Sequence, residues 1–497
     1  MKNSRNSVLE VLALVLLATL ATLATGEEPT RQSLFETFDL DLGEAVVSRG
    51  GNKITLVSVD EPKGEVWGEI SRPEVTVSVD GVSATLVAGM YRLPLKVPAD
   101  GSGIQIDCPA TGNLSESSHI DHWGLKKAVR LRVWKGDSPW VEPDSFGYPL
   151  EQGWFASHTA FSNEPVAPRP NRKLYYHAGL DLGGCEALTR VVAATDATVV
   201  SAGNRILPGH EPTNGSPVEP RYDVLYLLDD RGWYYRYSHL HSFSPDIVAG
   251  MKVKKGQFLG LLGKEGGSGG WTHLHFEIKN RQPSGEWGTE DAYAFIWQGY
   301  REIYGPSVIA VARPGHIVFE GDTVTHDGSR SWAEEASLSK YAWRFSDGTI
   351  ASGPEVKKKY SEYGSYRETL EVTDKEGRID FNFVRVSVFK RGEEGEAIAP
   401  PRLHAAFYPT LRNRAGEPVT FKVRAFGTTY GNETWDFGDG SEMVATKSDG
   451  NEVQLAPDGY AVVTHTYSEP GNYLVYVHRE DENGAVAEDR LFVRVTE

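Results

Sequence analysis

The sequence has few cysteines, no second long apolar run and a shortage of basic residues. Two cysteines in 497 residues, Cys108 and Cys185, allow at most one intramolecular disulfide. Lys and Arg number 51 against 68 Asp and Glu, and the formal net charge is −17. This balance argues against a nucleic-acid partner held through phosphate contacts. It also argues against simple electrostatic docking onto an anionic wall or membrane.

The single long apolar run lies at the N-terminus. It extends from Val11 to Ala24, follows Lys2 and Arg5, and is too short to span a membrane comfortably as a helix. Small residues follow it, as at a cleavage site, so residues 1–26 are predicted to be a signal peptide. An uncleaved anchor is the alternative. We therefore expect an exported protein, periplasmic or extracellular, without an integral membrane segment after signal removal.

The length and the polar–apolar alternation indicate several β-rich domains. A chain of 497 residues suggests three or four domains, and 40% hydrophobic and 24% charged residues are ordinary for a globular protein. Between residues 27 and 145, alternating segments such as KITLVSV, EVTVSV and AVRLRVW are separated by turn residues. This pattern predicts an N-terminal β-sandwich.

The phrase THLHFEI carries two histidines at the spacing of a strand face. Alternation from His273 to Ile278 predicts a β-strand, on which His273 and His275 point to the same side. One can then bind a metal while the other reaches the water on it. Lys279 and Asn280 stand where a cupin site would need a glutamate, which argues against a cupin. The glycine-rich stretch at 263–270 would let the backbone approach the site.

Two further phrases supply histidines and a carboxylate. HAGLDLGG holds His177 and Asp181, and its glycines make a regular helix there unfavourable. YSHLH holds His239 and His241, and the pattern alone does not decide which of the two points inward. Taken alone, HAGLDLGG is more typical of a turn with a solvated histidine and aspartate.

Together the three phrases resemble one family, the lysostaphin and LytM-type zinc endopeptidases that cut peptide cross-bridges in bacterial cell walls. The resemblance covers residues 175–278. Besides HAGLDLG, YSHL and THLHFEI it includes VVAATDATVVSAG at 191–203 and VAGMKVKKGQFLGLLG at 248–263. Order, spacing and glycine positions all match.

The resemblance implies a role for each of five residues. His177, Asp181 and His275 would be the zinc ligands, with one zinc ion per chain, and His239 and His273 would be catalytic. Such a ligand set leaves zinc an open position for water. His273 is assigned as the base and His239 as the stabiliser of the oxyanion, and the reverse assignment stays open. His241 has no counterpart and is interpreted as a surface residue.

The C-terminal third contains a repeat. YAWRFSDGT at 341–349 is similar to TWDFGDGSE at 434–442, and both resemble polycystic-kidney-disease (PKD) domains, which are immunoglobulin-like sandwiches. Trp343 and Trp435 are predicted to be core anchors and the Asp-Gly pairs to be turns. A hydrophilic linker, 391–401, separates the two units. The two units are therefore expected to be separable domains that tether the protein by binding wall, carbohydrate or protein.

The two cysteines are a disulfide candidate because the protein is expected to be exported. A bridge would join Cys108 of the N-terminal domain to Cys185, four residues after Asp181. The alternatives are two free thiols or, less favoured, Cys185 as a zinc ligand.

The sequence thus predicts a mainly β, multidomain protein. The expected order is an N-terminal β-sandwich (27–145), an antiparallel-β zinc peptidase domain (146–305) and PKD-like sandwiches at 306–390 and 402–497. The expected activity is zinc-dependent hydrolysis of peptide bonds in peptidoglycan cross-links. The alternatives are a secreted peptidase acting on extracellular proteins, a catalytically silent wall-binding or activator protein, and an adhesion protein.

Overall fold

The computed structural model describes residues 29–98, 103–116, 122–166, 174–334 and 337–497. Its regular structure is almost entirely β, with short helices α1 (Gly112–Glu116) and α2 (Tyr293–Tyr304), which confirms the predicted fold class. Within the described ranges neither helix has the length and apolarity needed to cross a membrane. The predicted signal peptide, 1–26, lies outside the described residues.

The N-terminal region is a sandwich of two four-stranded antiparallel sheets, ordered β1-β8-β7-β6 and β2-β3-β4-β5. Its strands are β1 (Phe35–Leu40), β2 (Ala45–Val47), β3 (Lys53–Asp60), β4 (Glu74–Val79), β5 (Val82–Val87), β6 (Leu95–Val97), β7 (Ile104–Thr111) and β8 (Val129–Lys135). Apolar residues alternate along these strands, so both inner faces contribute to one core that includes Ile54, Val77 and Leu131.

The central region contains a large antiparallel sheet whose main path is β15-β14-β16-β17-β21-β12-β9. The strands of the whole central region are β9 (Thr159–Ala160), β10 (Pro165–Val166), β11 (Tyr175–Tyr176), β12 (Leu180–Gly183), β13 (Arg190–Val192), β14 (Ala197–Ala202), β15 (Arg205–Ile206), β16 (Leu225–Leu228), β17 (Tyr234–Ser238), β18 (Leu240–Phe243), β19 (Lys252–Val253), β20 (Phe258–Leu262), β21 (His273–Arg281) and β22 (Trp287–Glu290). A 3₁₀ turn spans Pro212–Asn214. Helix α2 places Phe295 and Trp297 in the core beneath the sheet.

The C-terminal region consists of two β units that share a sheet. Its strands are β23 (Val308–Ile309), β24 (His316–Phe319), β25 (Thr323–Asp327), β26 (Trp332–Ala333), β27 (Leu338–Arg344), β28 (Ile350–Ser352), β29 (Glu355–Lys359), β30 (Gly364–Asp374), β31 (Ile379–Arg391), β32 (Ala397–Ile398), β33 (Arg402–Tyr408), β34 (Asn413–Arg414), β35 (Pro418–Phe426), β36 (Glu433–Asp436), β37 (Val444–Thr446), β38 (Ala461–Thr466), β39 (Gly471–Glu480) and β40 (Val486–Thr496). Strand β30 of the first unit pairs in parallel with β40 of the second, at Gly364–Val486 and Ser365–Ala487. The two units are therefore joined by backbone pairing as well as by the linker.

The repeated phrases occupy equivalent positions in the two units. Trp343 on β27 and Trp435 on β36 are both fully buried, at 0% exposure. After each, an aspartate carboxylate accepts a hydrogen bond from a backbone N–H two residues on, at 3.0 Å from Thr349 to Asp347 and from Ser441 to Asp439. These contacts fit a core anchor followed by a turn.

We expect Trp435→Ala to lower the stability of the second C-terminal unit by about 3–5 kcal/mol, because it removes a large buried aromatic and leaves a cavity. Trp435 packs against Phe421 and Phe437, with ring centroids 5.7 and 6.0 Å away. Thermal and urea unfolding followed by tryptophan fluorescence would measure the loss. Tyr430→Ala is the control, since Tyr430 is 60% exposed. Unchanged unfolding of Trp435→Ala would show that this tryptophan is not a core residue.

Candidate metal centre and catalytic site

Strand β21 lies at the middle of the site, between β12 and β17. Asp181 of β12 pairs with His275, and Gly183 pairs with His273. On the other side Ser238, the residue before His239, also pairs with His275. The predicted strand is confirmed, and its pairing brings all three phrases to one end of the sheet.

Three potential ligand atoms converge at this end. The Nε2 atom of His177 and the Nδ1 atom of His275 lie 3.1 and 2.9 Å from the same oxygen, Oδ1 of Asp181. One ligand atom from each residue lies within 4.8 Å of the others. His177 and Asp181 are buried, at 9% and 7% exposure. The three residues therefore form a compact donor set, in which His275 is half-buried.

A tight turn allows His177 to reach Asp181. Gly179 adopts a φ of +88°, and a Cβ atom there would lie 2.9 Å from the carbonyl oxygen of Phe276. Glycine is thus needed both for the left-handed conformation and for the close approach to β21. The glycine of the HAGLD phrase is required by this local geometry.

The donor set is strongly polarised. Burial opposes the charged form of Asp181, but the imidazoles of His177 and His273 hold its pKa well below the usual range. Burial would lower the pKa of His177, yet the Asp181 carboxylate outweighs it and raises that pKa. A permanent carboxylate between two imidazoles suits a divalent cation. Two histidine nitrogens and one carboxylate oxygen are also the ligands of open tetrahedral zinc sites.

Glu277 backs the donor set and was not predicted from the sequence. Its Oε2 atom lies 3.9 Å from Nε2 of His275, and its Oε1 atom accepts a hydrogen bond from Thr289 at 2.7 Å. The nearby Lys279 ammonium helps to hold the pKa of the buried Glu277 carboxyl well below its usual value, against the effect of burial. A carboxylate behind a ligating imidazole fixes the ring and raises its basicity. The available signal was its position two residues after His275 on the same strand face.

A second pair of imidazoles, His239 and His273, lies beside the donor set. Their ring centroids are 4.6 Å apart, and Nε2 of His273 lies 3.3 Å from Oδ2 of Asp181. The Nδ1 atom of His239 is 2.6 Å from the carbonyl of Glu265, and that of His273 is 3.1 Å from the carbonyl of Trp271. Since a carbonyl only accepts, each Nδ1 carries the proton and each Nε2 can accept one.

Both of these imidazoles are held neutral and rigid. Burial lowers the pKa of His239 and holds that of His273 well below its usual value. The Trp271 ring stacks on His273 at 3.8 Å between centroids. His239 adopts a left-handed φ of +70°, and its backbone N–H donates to Asp223 at 3.1 Å. Such a conformation in a non-glycine residue is costly and typical of functional sites.

The comparisons with known proteins agree with this geometry. Residues 175–285 match the model of Peptidase family M23. The centre of the chain is an M23 peptidase segment. Residues 306–388 and 407–495 match models of the PKD domain, so two PKD domains follow it. The family resemblance drawn from the three phrases is confirmed.

Similarity to solved structures is weak over the whole chain. A structure of Helicobacter pylori Csd3 matches with 16% identity over 50% of this chain and 50% of that one, at a TM-score of 0.23. The fibronectin(III)-like modules of Clostridium thermocellum CbhA match with 14% identity over 38% of this chain and 94% of theirs, at 0.15. The chain thus spans about half the length of the Csd3 structure.

The second PKD domain contacts the glycine-rich loop that leads into β21 of the M23 segment. The Tyr460 hydroxyl accepts a hydrogen bond from the Thr272 N–H at 2.8 Å. Arg424 donates to the carbonyl of Gly270 at 2.6 Å, and Asn451 donates to that of Gly269 at 3.1 Å. The sequence suggested a separable tether, whereas here the domain packs beside His273. Single side chains make these contacts, so no periodic pattern in the sequence predicts that the domain docks here.

The remaining predictions have mixed outcomes. His241 is exposed, as expected of a surface residue. The disulfide hypothesis is wrong, because Cys108 and Cys185 are both free and buried. Cys108 packs in the core of the N-terminal sandwich, where its thiol donates to the carbonyl of Ala110 at 3.5 Å. Burial raises the pKa of both thiols, that of Cys185 to about 12.

Proposed function

We propose that this protein is an exported zinc endopeptidase that hydrolyses peptide bonds in peptidoglycan cross-links. The observation that carries the proposal is the convergence of a His-Asp-His donor set with two neutral imidazoles in an M23 segment. The PKD domains and the predicted signal peptide support export.

His177, Asp181 and His275 would hold the zinc ion, which would activate a water molecule and polarise the scissile carbonyl. Glu277 would favour this orientation of the His275 ring through its charge, since its Oε2 atom lies 3.9 Å from Nε2 of His275. The turn at Gly179 and the register of β12 against β21 fix the other two ligands before any substrate arrives. Preorganisation of this kind lets the donor set act without rearrangement.

His273 is suited to remove the proton from the attacking water. Its Nε2 atom is next to the donor set, 3.3 Å from Asp181, and carries no proton while Nδ1 donates to Trp271. The ring of His239 lies 4.6 Å from that of His273 and 6.2 Å from that of His275. From there its protonated form would stabilise charge on the carbonyl oxygen, and His273 would pass the proton that it has taken from the water to the leaving amine.

Digestion of purified, insoluble peptidoglycan by the full-length protein tests this function. We expect new amino termini, identified by labelling and mass spectrometry, that disappear with a chelator and return when zinc is added. Stoichiometric zinc without new termini would favour the catalytically silent alternative. Cleavage of secreted proteins but not of peptidoglycan would favour the extracellular-protein substrate.

A further inference from the structure

The candidate site opens into a cavity of about 1420 Å³ that is lined by all parts of the molecule. The M23 segment forms one wall, and the N-terminal sandwich and the two PKD domains form the others. Nine arginines but only six acidic residues lie on these walls, although the whole chain has a net charge of −17. Positive charge is therefore concentrated in the cavity that a substrate must enter.

Part of this charge lies close to the catalytic imidazoles. Trp271 stacks on His273 at 3.8 Å between ring centroids and also contacts the ring of His158, at 5.3 Å. Two ring contacts thus connect the site to His158. An extended peptide advances about 3.3 Å per residue, so about three residues of substrate cover this path.

Two guanidinium groups of the first PKD domain meet at His158. Nη1 of Arg367 lies 3.5 Å from Nδ1 of His158, and Nη1 of Arg385 lies 3.2 Å from its Nε2. Burial and the nearby Arg385 hold the pKa of His158 well below the usual range, so the ring is neutral. A neutral imidazole accepts only one hydrogen bond. One of the two guanidinium groups therefore faces an N–H that cannot accept from it.

The carboxylates around these arginines do not balance their charge. Arg385 forms no ion pair with any carboxylate in the described part of the chain and donates to the carbonyl of Leu403 at 3.4 Å. Arg313 is 3% exposed and donates to neutral oxygens of Ser157 and Thr159, and its Nε has no partner.

Arg367 has a carboxylate nearby but does not use it fully. Its Nε is 3.2 Å from Asp489 but lacks hydrogen-bond geometry. Glu164 lies on the same cavity wall and interacts electrostatically with Arg313. Three guanidinium groups thus face two carboxyls. An uncompensated buried charge is costly, and an incoming anion would compensate it.

We propose that Arg313, Arg367 and Arg385, here called the arginine pocket, bind a carboxylate of the peptide substrate about three to four residues from the cleaved bond. The proposal rests on the proposed function and adds the substrate class, an acidic peptide. It also gives the first PKD domain a direct part in substrate selection. The planar guanidinium fork matches a carboxylate better than an ammonium group would.

Matched acidic and neutral peptides test the pocket. Cross-linked peptide dimers released from purified peptidoglycan would be used in their native form and with their carboxyls converted to carboxamides. Binding is measured by calorimetry on zinc-loaded chain carrying His273→Ala, and cleavage on zinc-loaded chain with His273 intact. We expect the native dimers to bind about tenfold more tightly than the amidated ones, as for a charge-assisted hydrogen bond.

Arg385→Gln should remove this preference by weakening only the native form. Arg385→Lys should retain part of it, since the charge remains without the fork. Arg344→Gln is the control, because Arg344 is an exposed arginine of the same domain that pairs with Glu371. A merely structural role for Arg385 would instead weaken both forms equally and lower the melting temperature.

The outcomes separate this proposal from the proposed function. Equal binding of both forms, binding of neither, or a preference that survives Arg385→Gln would overturn the arginine pocket. Preferential binding of native dimers without any cleavage by the His273-intact chain would support the pocket and contradict the endopeptidase assignment.

Discussion

Replacement of His275 by alanine should release the zinc ion and abolish hydrolysis while leaving the fold intact. His275 supplies one of three donor atoms, and its Nδ1 lies 2.9 Å from Asp181. Loss of an outer partner of a ligand typically costs 10- to 100-fold in metal affinity, so loss of a ligand should cost more than about 100-fold. Zinc content after dialysis, together with far-UV circular dichroism, would measure the effect.

Two further variants serve as comparisons for the zinc content of His275→Ala. His241→Ala changes a nearby exposed histidine and should keep both zinc and activity. Glu277→Gln should weaken zinc binding about 10- to 100-fold, because it removes the charge behind His275. Full zinc occupancy in His275→Ala would show that the ligand assignment is incorrect.

The affinity for zinc should also fall as the pH decreases. Asp181 raises the pKa of His177, and zinc must displace the proton from that imidazole before it binds. Protons therefore compete more strongly at lower pH, and competition titrations with a chromophoric chelator would follow the change. An affinity independent of pH below neutrality would exclude His177 as a ligand.

Local pattern was sufficient to predict much of the site. Alternation in THLHFEI placed His273 and His275 on one strand face, and the glycines of HAGLDLGG indicated a turn. These signals are short-range, because side-chain direction on a strand follows from period two alone. The mutual arrangement of the three phrases came from the family resemblance, since no periodicity specifies which strands pair.

The residues that sequence reasoning missed act across long separations. Asp223 holds the strained backbone of His239 from 16 residues away, and Tyr460 reaches Thr272 from 188 residues away. Each is one polar side chain in an otherwise ordinary strand or loop. The hydrophilic composition of 391–401 predicts a connection but says nothing about domain docking. Strand β32 within it pairs back onto β31, and β30 pairs with β40.

His239 and His273, the proposed catalytic imidazoles, should behave differently from the proposed zinc ligands. We expect His273→Ala and His239→Ala each to keep one zinc ion per chain and to lose about 10²–10⁴ in kcat, the usual contribution of general acid–base catalysis. Neither residue is needed for the donor set, whose three atoms lie within 4.8 Å without them. Zinc analysis and turnover of a soluble cross-linked peptide, measured on the same preparations, would separate the two effects.

The pH dependence of the remaining activity distinguishes their roles. Burial holds the pKa of His273 well below its usual value, so this imidazole is unprotonated at neutral pH and becomes protonated only under acidic conditions. If His273 is the base, kcat/KM measured at saturating zinc should fall on the acidic side in the unmodified protein, and His273→Ala should lose that dependence. His239→Ala should retain it, because the base is still present. These roles would be contradicted by loss of zinc from either variant or by near-normal turnover. If the fall of kcat/KM at acidic pH disappears only in His239→Ala, the reverse assignment is correct.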